Sequence, residues 1–564
     1  MSTAPDAPTA LDPITLEIVW NGLLSVTDEC FITLMRSAYS TNIKERHDHS
    51  IAIADAKGRL IAQSQQSLPV HISSMTGLIT ALLKKYGGDI AEGDLFLAND
   101  PHVAGGTHLP DLNFAMPVFI AGRFVGLVAN IAHHADVGGA AAGSMSGGLN
   151  EIWKEGLRIP VVRLASRGVL DQDLMDIILL NMRLPEERKG DINAQIAACR
   201  IGVERVKALS DRHGLDVLET AFDEIVWRSK ARMQAEIARI PDGRYTFEDV
   251  LDDDGLEARD VRFKLAIEKK GERILFDWTG SDPQVPGNVN LTFNATQSCV
   301  FFGLKAVLDP DLPNNQGVLD AVEIVAPLGS VANCVSPAAV ALRANTCQRG
   351  IDVVLGALAK ALPENVIAAA NGANTSAVFA GNDPVTGRPY VYLETLGGGM
   401  GARATKDGKD GVQAGITNTS NLPVEAIEME YPLRVLEYGF VEDSGGAGRY
   451  RGGLGIRRVV TPVGHACEFS GVGERFVHQP WGLFGGEPGA TGRFHLRGPD
   501  GGLKRLPNKV RMPLREGESV VVETPGAGGY GQPSERSAAA LAEDDGSGKF
   551  SGAYLDRWYP DAKR

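Results

Sequence analysis

Seven of the eleven histidines in this 564-residue chain fall between positions 47 and 134: His47, His49, His71, His102, His108, His133 and His134. They lie among carboxylates, in the stretches RHDHS, NDPHVAGGTHLPD and NIAHHADVGG. Imidazole interleaved with carboxylate is a donor set for zinc, manganese or iron. A lone histidine at a strand end is more often hydrogen-bonded structure than ligand, so position has to separate the two uses.

Two apolar runs, LNFAMPVFI and FVGLVANIA, flank Ala121-Gly122-Arg123 and read as a β-hairpin. A three-residue turn there sets Asp111 opposite His133, with β-carbons roughly 5 Å apart. Pro110 kinks the chain so that His108 approaches Asp136 on the same edge. His108, Asp111 and His133 are therefore the candidate metal ligands. A slip of one residue would exchange His133 for His134, because neighbours on a strand face opposite ways. One of the two, not both, is expected to be a ligand. His47 and His49 alternate with Asp48 and are expected to point away from it, toward solvent. Asp100 and His102 read as loop-capping residues. His71, soon after Pro69, falls in an expected turn and stays ambiguous.

The elements around these residues divide the chain. Residues 1–12 read as a disordered leader. Pro13 opens a helical run, ITLEIVWNGLLSVTDECFITLMRSAYS, with apolar residues three and four apart. A hairpin around Lys57-Gly58 follows, then the hairpin above, then the small-residue loop GGAAAGSMSGG and long helical patterns over 171–240. After Pro241 the chain turns to short β-like runs with many Gly and Pro, interrupted by the helical TCQRGIDVVLGALAKAL. Past Pro533 a short helix and a flexible tail are expected. The predicted fold is mixed α+β and multi-domain. Residues 13–240 form a metal-binding domain of helix and hairpins with central helices. Residues 241–533 form a glycine-rich, β-rich half, and 534–564 the tail.

Composition narrows the function. Hydrophobic residues at 43% and charged residues at 22% are ordinary for a soluble globular protein. A net charge of −14 with no run of Lys and Arg argues against a nucleic-acid partner. No uninterrupted apolar segment of membrane-spanning length and no secretory signal is evident, so no membrane is expected. The six scattered cysteines lack a CxxC pair and read as reduced thiols, which points to the cytoplasm. GAGGYG at 526–531 fits GxGxxG formally, but too little chain follows it for a dinucleotide fold. GxxxxGK[ST] is absent, so the chain is not expected to hydrolyse ATP by itself.

Taken together, DPITLEIVWNGL, NIKERHDHS, NDPHVAGGTHLPD, NIAHHADVGG, EGLRIP, NMRLPEERKGDINAQIAA, GRYRGGLG and TPGAGGYGQP resemble the hydantoinase B/oxoprolinase family, from about residue 12 to 550. The resemblance implies a hydantoinase A-type partner with an actin-like ATPase fold, carrying ATP and magnesium, in an (αβ)2 heterotetramer. It implies metal ligands at His108, Asp111 and His133, with Asp48 as a fourth. Histidines at 47 and 49 depart from what commonly surrounds that aspartate and leave the local arrangement open.

Two histidines and two carboxylates would hold a divalent ion, zinc ahead of manganese, able to activate water and polarise a carbonyl. His134 and Asp136, beside the ligands, are the candidates for orientation or proton transfer. By the resemblance, the partner would phosphorylate the oxygen of a lactam or hydantoin, and this chain would open the ring. The alternatives are a subunit of an ATP-dependent acetone- or acetophenone-type carboxylase, or a non-catalytic scaffold for the ATPase.

Overall fold

The structure, a computed structural model, describes residues 11–560, so the leader expected at 1–12 lies outside them except for Leu11 and Asp12. Asp12 caps helix α1 (Pro13–Ser37) by accepting from the amides of Ile14 and Thr15, and Pro13 opens it where no donor is needed. Among the described residues α1 is the one helix whose length and hydropathy would allow it to cross a membrane. In this fold it is a core helix: Val19, Leu23, Cys30 and Phe31 pack with strand and helix residues such as Ile51, Ile53 and Ala198.

A short helix, α2 (Thr41–Lys44), leads into a seven-stranded antiparallel sheet of order β2-β1-β5-β4-β3-β6-β7. Its strands are β1 (His49–Asp55), β2 (Leu60–Gln63), β3 (Leu95–Ala98), β4 (Asp111–Ile120), β5 (Arg123–His133), β6 (Val162–Ser166) and β7 (Val169–Leu170). β1 is buried along its whole length. Its odd positions, Ile51 and Ile53, join the core shared with α1. The small Ala52 and Ala54 face α3 (His71–Tyr86), where they admit Ile72, Met75, Leu78 and Leu82. The helices α4 (Gln172–Leu180), α5 (Pro185–His213) and α6 (Leu215–Ala238) follow, and α5 and α6 share the α1 core.

The chain then forms a four-stranded sheet of order β11-β10-β9-β8, from β8 (Gly243–Leu251), β9 (Val261–Lys270), β10 (Arg273–Asp277) and β11 (Glu323–Val325). Around it pack α7 (Phe293–Leu308), α8 (Gln316–Leu319) and α9 (Arg343–Leu358). Every residue of α9 is buried, Arg343, Asn345, Gln348, Arg349 and Asp352 included. Buried polar groups need partners, and the partners of Arg343 lie at the candidate site. Two further sheets, built from strands between 376 and 523, share a core of Phe379, Tyr392, Phe469, Phe494, Val520 and Val522. All six cysteines are buried and unbridged.

The architecture is the mixed α+β, multi-domain one expected. The GAGGYG segment serves close backbone packing. Tyr450 and Tyr530 exchange amide-to-carbonyl bonds of 3.0 and 2.9 Å, and a Cβ at Gly526 would lie 1.8 Å from the Ser444 carbonyl oxygen. The expected flexible tail is a correction. After the helix Ala538–Gly546, a second helix, Gly552–Trp558, docks through Tyr554 and Leu555 onto Ala447 and Leu454. Arg536 pairs with Asp544 of the first of these two helices.

Candidate metal centre

β4 and β5 make the hairpin that places the site. Ile120 pairs with Arg123, so the turn holds two residues, Ala121 and Gly122, at φ of 50° and 77°, as in a type I′ turn. The expected turn had three residues. A bulge between Val118 and Phe119 restores the missing residue, and Asp111 faces His133 at the far end of the ladder. The register at the site is the expected one, reached by a different turn.

Asp111 Oδ1 lies 2.9 Å from His108 Nε2 and 3.2 Å from His133 Nδ1, and the two nitrogens are 3.2 Å apart. Donors held about 2.0–2.1 Å from a tetrahedral zinc ion lie about 3.3 Å from one another, so this triangle is close to the span of one coordination sphere. All three residues are buried. His108 Nδ1 faces the Ala341 carbonyl oxygen at 3.3 Å. A proton donated there leaves the Nε2 lone pair for a metal. Burial first, then the neighbouring Arg343, lowers His108 to about 4, so it is neutral near pH 7, as a ligand must be. Burial alone would raise Asp111, but its neighbours, the charged Arg343 among them, reverse that and hold its carboxyl well below the usual range.

Asp48 joins the trio through the backbone, its carbonyl accepting from the His133 amide at 3.0 Å. It lines, with His108 and His133, a closed cavity of about 20 Å³, room for an ion or one water. Among the described residues the Asp48 carboxylate makes no ion pair or side-chain hydrogen bond. His133 Nε2 and His71 Nε2 are also buried without partners. A carboxylate without a partner, facing two imidazoles across so small a space, suits a cation better than it suits the protein alone.

Two expected residues stand elsewhere. His134 turns to the opposite face, where its Nε2 meets Gln195 Oε1 at 2.9 Å. Asp136 clasps the glycine loop, accepting from the amides of Gly138 and Gly143 and from Arg183. His108 therefore approaches Asp111 and not Asp136, and the orienting or proton-transfer role assigned to His134 and Asp136 has no contact with the trio behind it. His49 is a further correction: it is fully buried, stacked on Phe31 at 3.9 Å between ring centroids, rather than turned to solvent. His47 is partly buried at φ 58°. Asp100 does cap its loop, accepting from the amides of His102 and Val103.

Sequence reasoning missed two contributors, Arg343 and Glu155, and left a third, His71, ambiguous. Arg343, the first residue of α9, donates to Asp111 Oδ2 at 2.7 Å and to Thr107 Oγ1 at 3.0 Å. His71 begins α3, with Nδ1 2.8 Å from Ser50 Oγ and Nε2 3.7 Å from Asp111 Oδ2. Glu155 accepts from the amides of Val340 and Ala341, both at 2.7 Å, and so holds the segment whose carbonyl meets His108. The polar run RANTCQRGID in an otherwise apolar helix was the one available signal for Arg343.

The profile of the hydantoinase B/oxoprolinase family matches residues 12–533, and the chain belongs to that family. An uncharacterized protein of Methanocaldococcus jannaschii is 40% identical over 554 residues, covering 97% of this chain and 96% of its own. Caprolactamase subunit beta of Pseudomonas jessenii is 32% identical, covering 97% and 96%. The crystal structure of the ATP-dependent caprolactamase from that organism superposes with a TM-score of 0.92 at 29% identity, covering 98% of this chain and 96% of the other. A nucleotide-free acetone carboxylase superposes with a TM-score of 0.90 at 19% identity, over 97% of this chain and 79% of the other, which is a likeness of fold.

Proposed function

We propose that this chain is the metal-holding, ring-opening subunit of an ATP-dependent cyclic amidase acting on lactams or hydantoins. It works with an actin-like ATPase subunit in a cytoplasmic (αβ)2 assembly. The observation that carries the reading is the convergence of two imidazole nitrogens and one carboxylate oxygen on one another, beside a small cavity that His108, His133 and Asp48 line, in a chain of this family. The likeness to a caprolactamase subunit supports the cyclic-amide substrate and a partner, and the ATP dependence of that caprolactamase supports the use of ATP.

His108, Asp111, His133 and Asp48 would hold the ion, zinc ahead of manganese. A divalent ion bound there would lower the pKa of water and polarise a carbonyl. Arg343 keeps Asp111 ionised and fixes the carboxylate plane through its second oxygen. The Ala341 carbonyl sets the ring of His108. Leu68, Val70, Met145 and Leu393 close the cavity with apolar side chains, so charges inside act at low effective dielectric. ATP and magnesium belong to the partner, whose phosphorylation of the amide oxygen would make the carbon susceptible to attack.

Mixing the purified chain with its ATPase partner tests the reading. The chain alone should open no lactam or hydantoin ring, with or without ATP. The mixture should open the ring while consuming ATP, and a chelator should stop it. Ring opening by the isolated chain without ATP, or labelled bicarbonate appearing in product, would overturn the proposal.

A further inference from the structure

Next to the metal centre lies a much larger cavity of about 520 Å³, within the range of small-molecule sites. One segment forms a wall between the two. Leu68 and Val70 line the small cavity while Ser67 and Pro69 line the large one, and Thr417 lines both. The large chamber has an apolar side, with Phe301 and Val307 from α7 and Ile351 and Leu355 from α9.

The chamber also carries two uncompensated cations. Lys305 and Arg403 both line it, and among the described residues neither makes an ion pair or a side-chain hydrogen bond. Arg403 Nε is buried with no partner at all. Asp309 and Asp311 reach Lys305 only through the longer-range field, and Asp309 is engaged by Arg232 at 2.6 Å. The one lining carboxylate, Asp352, is held by Arg475 at 2.7 Å. Two of the lining amides are also engaged: Gln348 donates to the Ala414 carbonyl at 2.7 Å and Gln413 to the Thr395 carbonyl at 3.0 Å. By contrast the fully buried Arg349, Arg458 and Arg475 each meet a carboxylate. Two partly buried cations left without an anion beside an apolar wall are costly unless a ligand supplies the charge.

We propose that this chamber is a binding site for a medium-chain apolar monocarboxylate, its carboxylate taken by Arg403 and Lys305 and its chain lying against Phe301, Ile351 and Leu355. A polyphosphate would leave the apolar wall wet, and a neutral hydrocarbon would leave both cations bare. Opening a lactam breaks its C–N bond and leaves a carboxylate at one end of the chain and an amine at the other, so the product formed next door shares the carboxylate end of this ligand. That link rests on the ring-opening reading; the binding itself does not.

Calorimetric titration of the purified full chain with hexanoate, hexanamide and inorganic phosphate tests it. Hexanoate should bind more tightly than either of the others. Replacing both cations (Lys305→Gln with Arg403→Gln) should weaken hexanoate by about tenfold or more and leave hexanamide within about twofold, which also reports an intact chamber. Should the double variant not fold, Arg403→Gln alone should weaken hexanoate several-fold. His133→Ala should leave hexanoate binding unchanged, separating the chamber from carboxylate capture at the metal centre. The proposal is overturned if hexanoate does not bind, if hexanamide or phosphate binds as tightly, or if only His133→Ala abolishes binding. Failure of ring opening in the reconstituted mixture would leave these titrations untouched.

Discussion

Arg343 Nη2 lies 2.7 Å from Asp111 Oδ2, joining residues 232 positions apart, the first residue of α9 to the first of β4. The contact occupies one carboxylate oxygen and leaves the other, Oδ1, to His108 and His133. The metal-facing hairpin and helix α9 are thereby joined at the site itself, with both partners buried.

Arg343→Gln should therefore act differently on the two forms of the protein. Without metal it removes the one charged Arg partner of a buried carboxylate, and breaking a buried pair costs about 3–5 kcal/mol. With a cation bound, much of that loss is made good. Melting curves of metal-free and metal-loaded protein should show a larger drop for the metal-free form. Equal drops would mean that Arg343 is structural and uncoupled from the ion.

His133 and His134 give a neighbouring pair with opposite expectations. His133→Ala should lose the ion. His134→Ala should keep it and lose stability instead, by about 1–3 kcal/mol, because Gln195 Oε1 is left unpaired in the core. Metal content and melting temperature of both variants check this. Metal loss confined to His134→Ala would place the ligand on the other face of β5.

How much of this was legible in the sequence depends on range. The Asp111–His133 pairing follows from hairpin arithmetic, because a ladder is a local object; it survived a wrong turn length since a bulge made up the count. The facing of His49 was misread because alternation with Asp48 says nothing of the ring of Phe31, which covers it. The segment that completes the site, Val340 to Arg343, arrives from far along the chain, and no local pattern encodes that approach. Asp136 was drawn toward His108 by a strand extrapolated past its end, where the chain in fact turns into the glycine loop.

Glu155 supplies a pH signature. Burial pushes its carboxyl up to about 8, against the pull of the Ala341 and Val340 amides, from an ordinary 4.5. Between those values the folded chain binds a proton that the unfolded chain has lost, so stability from this group is full below about 4.5 and fades as pH rises through about 8. Glu155→Gln keeps an acceptor for the two amides and removes the titration. Its stability should gain on the parent by about 2–4 kcal/mol between pH 5 and 9. Urea unfolding across that range measures it; parallel profiles would mean that Glu155 is ionised in the folded chain.

Asp48 has no side-chain partner to lose among the described residues. Asp48→Ala should leave the melting temperature of the metal-free chain nearly unchanged while weakening metal binding by about tenfold or more. A competition titration with a chromogenic chelator reads the second effect. Unchanged affinity would remove Asp48 from the ligand set.

The most direct test of the whole account is elemental mass spectrometry on the purified chain and its His108→Ala, Asp111→Ala and His133→Ala variants. The parent should carry about one divalent ion per chain, and each variant should carry almost none while keeping its far-ultraviolet spectrum. Full metal retained by all three variants would contradict the assignment of this triangle as the metal centre.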